Sequence, residues 1–95
     1  MNYTKTNITD ENIEMLKTLS HPIRVEIITI LMQHNTLNVS ELVKKLQIPQ
    51  STVSQHLSKM KGKIVGCDRR GLEVYYYISN PIVPHIIEIL LTNNK

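Results

Sequence analysis

The segment Gln50-Ser51-Thr52-Val53-Ser54-Gln55-His56-Leu57-Ser58-Lys59-Met60 combines helical spacing of apolar residues with side chains that make directed hydrogen bonds. At 3.6 residues per turn, Val53, Leu57, Met60 and the following Ile64 fall on one face, which must meet a core. Directly opposite lie Ser51, Gln55 and Ser58. Thr52 and Lys59 sit to one side, Gln50 and Ser54 at the other edge, and His56 nearer the apolar stripe. Exposed helices normally fill such positions with Glu, Lys, Gln or Arg, because Ser and Thr compete with the helical backbone for hydrogen bonds. A glutamine amide can pair with two atoms of a base edge, and a hydroxyl can reach a base or a phosphate, in a groove wide enough for a helix. Small side chains permit close approach, and the free amides and dipole of a first helical turn favour a phosphate. The chemistry that fits is recognition of a duplex through its major groove. His56 sits where a half-buried residue would bond backbone or phosphate rather than read a base.

The charge distribution points the same way. Of the net +3, residues 44–70 carry +6, with Lys44, Lys45, Lys59, Lys61, Lys63, Arg69 and Arg70 set against Asp68; residues 1–43 come to −2 and residues 71–95 to −1. Such asymmetry in a small chain suits a polyanionic partner, and the lysines beyond the polar face would supply sequence-independent attraction.

The elements that must hold this segment can be read from caps and periodicity. Residues 1–8 are polar and expected to be flexible, with residues 9–95 forming one domain. A first helix starts near Thr9 or Asp10 and runs through Ile13, Met15, Leu16 and Leu19. Ser20-His21-Pro22 breaks it and starts a second, Pro22 to about His34, apolar on two sides through Ile23, Ile27, Ile30 and Leu31 and through Val25, Ile28 and Met32. That second helix should be central. Val39 is expected to be extended, with Ser40 capping a short helix over Glu41–Leu46. Gln47-Ile48-Pro49 turns the chain into the polar-faced helix, because Pro49 disfavours a helical Ile48. Ile64–Cys67 and Leu72–Ile78 read as strands joined by Asp68-Arg69-Arg70-Gly71. Asn80-Pro81 opens a last helix carrying Ile82, Val83, Ile86, Ile87, Ile89, Leu90 and Leu91, with Pro84 awkwardly placed about one turn in. The order is α-α-α-α-β-β-α: a mainly α fold with a small β-hairpin, a winged helix-turn-helix. Arg69 and Arg70 at the hairpin tip are placed for phosphates or the minor groove.

LSHPIRVEIITIL, NVSELVKKLQIPQSTVSQHLSKMKGKIV and RRGLEVYYYI together resemble the ArsR/SmtB family of winged-helix repressors, in one register over roughly residues 12–91. Within that family, IPQSTVSQHLSKM and the hairpin are most similar to the PagR-type regulators. The resemblance implies a homodimer with the first and last helices at the subunit interface, and DNA contact by Gln50, Ser51, Thr52, Ser54, Gln55 and His56. The last helix supports a second copy independently: seven large apolar side chains in so short a helix cannot all be covered by one small domain. Ile82, Ile86, Ile87 and Leu90, facing Met15, Leu16 and Leu19, are the expected interface.

Many relatives of that family release DNA on binding a metal. The Cys-x-Cys pair of thiolate-type sensors is replaced here by sulfur-free ELVKKL, and the Asp-x-His of zinc-type sensors by Asn80-Pro81-Ile82. His85 and Glu88 share a helical face but fall too early to match the zinc-type pair, and two ligands do not define a site. His21 and His34 read as a turn residue and a helix C-terminal residue. No metal or cofactor is expected, and no small-molecule ligand is identifiable from the sequence.

Cys67, the single cysteine, cannot form a disulfide within the chain, as suits a reducing cytoplasm. No apolar run is long enough to span a bilayer, and the N-terminus lacks the basic start and apolar stretch of a secretory signal. No nucleophile–base pair, carboxylate dyad or phosphate-cradling loop can be assembled, so an enzyme is not expected. Two rivals to a metal-free, DNA-binding repressor on an inverted-repeat operator are a ligand-gated relative using His85, Glu88 or Cys67, and a winged helix used only for protein assembly. The second calls for an acidic or apolar outer face on the fourth helix, which this chain lacks.

Overall fold

The structure is a computed structural model that describes residues 7–93. The flexible segment expected over residues 1–8 falls, for residues 1–6, outside them. The elements are α1 (Asp10–Leu19), α2 (Pro22–His34), β1 (Leu37–Asn38), α3 (Val39–Leu46), α4 (Gln50–Met60), β2 (Val65–Arg70), β3 (Glu73–Ile78) and α5 (Ile82–Thr92).

Local signals account for most helix ends. Thr9 caps α1, its hydroxyl accepting from the Asn12 amide at 3.1 Å, with Asp10 and Glu11 in the positive first turn. Pro22 occupies the first turn of α2, where its missing N–H costs nothing. The start of α3 corrects the expectation of a Ser40 cap after an extended Val39. Asn38 is the cap, and Val39 is already helical. Asn38 Oδ1 accepts from the Glu41 amide at 2.8 Å while Glu41 Oε1 accepts from the Asn38 amide at 2.9 Å, a reciprocal box that satisfies two otherwise free donors.

Leu37 and Asn38 also form a short strand that the sequence did not announce, since two residues show no alternation. They pair antiparallel with Tyr76 and Tyr75, making the sheet three-stranded in the order β1-β3-β2. Residue 38 therefore belongs at once to the sheet and to the cap of α3, which ties the wing to the helix-turn-helix.

The hairpin is longer and its turn tighter than expected. β2 runs through Arg70, pairing Arg70 with Glu73, so the connection is Gly71-Leu72 alone. Gly71 has φ +65°, the left-handed conformation that such a two-residue turn demands. Leu72 is not in a strand: it is 95 % exposed at the tip. Across β2 and β3, Gly66 faces Tyr77, whose ring lies so close that a Cβ at residue 66 would meet its hydroxyl at 2.6 Å.

Ile27, Ile28 and Leu31 of α2 are fully buried at the centre, as its two apolar sides require. Around them pack Leu42 of α3, Val53, Leu57 and Met60 of α4, Ile64 and Val65, Leu37 of β1, Val83 and Ile87 of α5, and Met15 and Leu19 of α1. No polar side chain is buried among the described residues. Asn80 joins the connection after α4 to the start of α5, donating from Nδ2 to the Lys63 carbonyl at 3.1 Å and accepting from the Ile82 amide at 3.0 Å. Pro84, the third residue of α5, lies within a first turn that needs no amide hydrogen, so the helix is not interrupted there.

Candidate nucleic-acid interface

Helix α4 is pinned from behind and free in front. Val53, Leu57 and Met60 have no exposed surface, whereas Gln50, Ser51, Ser54, Gln55, Ser58 and Lys59 are exposed and Thr52 is half-buried. The preceding turn sets its direction: Gln47 closes α3 in the left-handed region at φ 58°, its amide donating to the Val43 carbonyl at 2.7 Å. Pro49 then enters α4 extended, at ψ 145°. The Pro49 carbonyl accepts from the Thr52 and Val53 amides, both at 3.1 Å. No side chain caps this N-terminus, which leaves first-turn donors and the positive end of the dipole directed out of the fold.

His56 is half-buried on the flank of α4, as its wheel position required, and is bonded to Arg24 of α2: Arg24 Nε donates to His56 Nδ1 at 3.1 Å. Partial burial, then the Arg24 guanidinium, then His21 hold its pKa below the ordinary 6.5. The segment LSHPIRVEIITIL, which carries part of the family resemblance, gives Arg24 no role by itself, because the partner of its guanidinium lies 32 residues away.

The wing arginines stand beside the Gly71-Leu72 turn, in a strand rather than in the connection expected over Asp68-Arg69-Arg70-Gly71. Both belong to β2, and adjacent strand residues point to opposite faces. Arg70 lies on the face of Tyr75, its guanidinium carbon 4.9 Å from the ring centroid, a cation–π contact that restrains the charge. Arg69 lies on the other face, with Cys67 and opposite Val74. Tyr76 and Ile78 pack against the core, while Tyr75 and Tyr77 occupy the other side of the strand.

The expected interface residues divide. Met15, Leu19 and Ile87 are buried within the chain, and Ile86 packs partly against its core. Leu16, Ile82 and Leu90 are exposed, joined on the same two helices by Ile13, Ile89 and Leu91. His85 Nδ1 and Glu88 Oε1 stand 3.9 Å apart on exposed surface, and among the described residues no three metal-ligating side chains converge. Cys67 is a free, half-buried thiol.

A helix-turn-helix whose second helix shows solvent a polar, lightly charged face, followed by a hairpin with basic residues near its tip, defines a winged helix-turn-helix DNA-binding protein. Residues 21–63 match the family described as bacterial regulatory protein, arsR family. The chain is 49 % identical over 81 residues to the transcriptional repressor PagR of Bacillus anthracis, covering 85 % of this chain and 82 % of that protein. The crystal structure of PagR superposes with a TM-score of 0.82 over 85 % of this chain and 93 % of that one. The HTH-type transcriptional repressor SmtB of Mycobacterium tuberculosis is 37 % identical over 75 residues, 78 % of this chain but 55 % of its own length. The structure of HlyU from Vibrio cholerae matches at 29 % identity with a TM-score of 0.79, covering 88 % of this chain and 91 % of that one. The chain belongs to the arsR family and is a DNA-binding transcriptional regulator.

Proposed function

We propose that the protein is a repressor that binds an inverted-repeat operator as a homodimer. Each copy inserts α4 into a major groove, with Gln50, Ser51, Thr52, Ser54 and Gln55 directed at base edges and nearby phosphates. His56 and Lys59 contact the backbone, as do Arg69 and Arg70 of the wing. The observation that carries this reading is the single-sided anchoring of α4: three fully buried residues behind, an uncapped N-terminus and a hydrogen-bonding face in front. The exposed apolar surface of α1 and α5 supports the second copy, which would set two reading helices roughly 34 Å apart on successive grooves. Residues 9–95 would then serve as one DNA-binding and dimerisation domain, acting in the cytoplasm and blocking a promoter by occupancy. No helix among the described residues is long and apolar enough to cross a membrane. PagR and SmtB, both repressors by name, support the sign of the effect.

Footprinting on the DNA upstream of its own gene, with and without chelator, tests this. Protection of a twofold-symmetric site, unchanged by chelator, is expected. Asymmetric protection by a monomer, or no shift of any duplex in low salt, overturns it.

A further inference from the structure

Arg24 makes two bonds that together leave it little freedom. Its Nε donates to His56 Nδ1 at 3.1 Å, and a terminal nitrogen donates to the Thr18 carbonyl at the end of α1 at 2.9 Å. Guanidinium Nε always carries its hydrogen and accepts nothing, so Nδ1 of His56 must present a lone pair. A neutral imidazole with a lone pair on Nδ1 carries its proton on Nε2. That second nitrogen lies across the ring from Arg24, has no bond to any described residue, and is not sealed from solvent.

We propose that Arg24 is a positioning residue for DNA binding: it holds the His56 ring in one orientation and one tautomer, so that α4 offers a pre-set, uncharged Nε2–H donor to a phosphate oxygen at the groove edge. This rests on α4 being the reading helix. A fixed donor loses less rotational freedom on binding than a free side chain, and an uncharged one adds a hydrogen bond without adding to counterion release. The groups facing the ring agree with a neutral state. From the start of α2 come Arg24 and His21, whose ring centroid lies 6.3 Å away, and both act against a positive charge, as does partial burial. From α1 the Thr18 carbonyl reaches the pair through Arg24, and on α4 itself the next charged residue is Lys59.

The test reads the ring first in the free, full-length protein, by nitrogen NMR of the histidines between pH 5 and 8. The parent should show His56 as the Nε2–H tautomer, protonating below 6.5. Arg24→Met should mix the tautomers and raise the midpoint. Affinity for the footprinted duplex is then measured in a double-mutant cycle. Arg24→Met is expected to weaken binding about five- to tenfold when His56 is present and less than about twofold in a His56→Ala background. His56→Gln, whose freer amide places a donor near Nε2 without titrating, should recover part of the affinity that His56→Ala loses, and His56→Ala should leave the salt dependence unchanged. Equal losses from Arg24→Met in both backgrounds would reduce Arg24 to a tie between α1 and α2. The proposal also fails if the ring carries its proton on Nδ1 while the protein binds DNA. If the parent binds no duplex at all, the reading of α4 fails and this role with it.

Discussion

Helices α4 and α5 are each eleven residues long and each seat one face in the same core, yet their outward faces are opposites. On α4 the outward side chains are glutamines, serines and one lysine. On α5 they include Ile82, Ile89, Leu90 and Leu91, between 44 % and 61 % exposed. Leaving an apolar side chain in water forfeits about 1.5–3 kcal/mol relative to burying it, so the α5 surface favours a permanent cover. The α4 face costs nothing while solvated, which is what a surface needs if its partner must come and go. On the proposed reading, one helix stays associated with a second copy and the other is read reversibly.

The sharpest way to break that contrast is to charge the apolar face. Leu90→Asp is expected to weaken self-association by about a hundredfold or more, giving monomers by sedimentation and a matching loss of operator affinity. A dimer that persists would remove α5 from the interface. On the polar side, Gln55→Ala should cost about 1–3 kcal/mol on the operator and much less on an unrelated duplex, measured by competition. Equal losses on both would demote α4 from reading bases to general attraction. Arg70→Ala should weaken both duplexes alike and lower the salt slope by about 1, with Tyr75→Leu reproducing part of the loss because the ring restrains the guanidinium. The smallest effect concerns pH and stability. Because the folded pKa of His56 lies below 6.5, the unfolded chain binds the proton first as pH falls. The contribution is complete above 6.5 and is lost as pH drops through the folded value. Denaturation of His56→Gln should show a flatter profile across that window.

Much of this contrast was legible in the sequence because it rests on local periodicity. The wheel for residues 50–60 separates Val53, Leu57 and Met60 from Ser51, Gln55 and Ser58, and the structure buries the first set and exposes the second. The two apolar sides of α2 and the start of α1 at Thr9 were readable for the same reason. Where reading failed, a distant partner decided. Asn38 rather than Ser40 caps α3 because Leu37 and Asn38 are drawn into the sheet by Tyr76 and Tyr75. The hairpin turn is Gly71-Leu72, not a loop beginning at Asp68, because Arg69 and Arg70 complete the register with Val74 and Glu73.

The amino-acid sequence alone determined which helix faces are apolar, where the charge gathers, and that a turn and a glycine-closed hairpin flank the polar helix, since each follows from neighbours within a few residues. Only the tertiary structure decided that Met15, Leu19 and Ile87 lie inside the chain while Leu16, Ile82 and Leu90 are left outside it. It alone brought Arg24 to His56 and set Arg69 and Arg70 on opposite faces of the wing. Burial and side-chain pairing depend on surfaces that meet across dozens of residues, and no local pattern encodes which of two equivalent apolar or basic side chains the packed fold will reach.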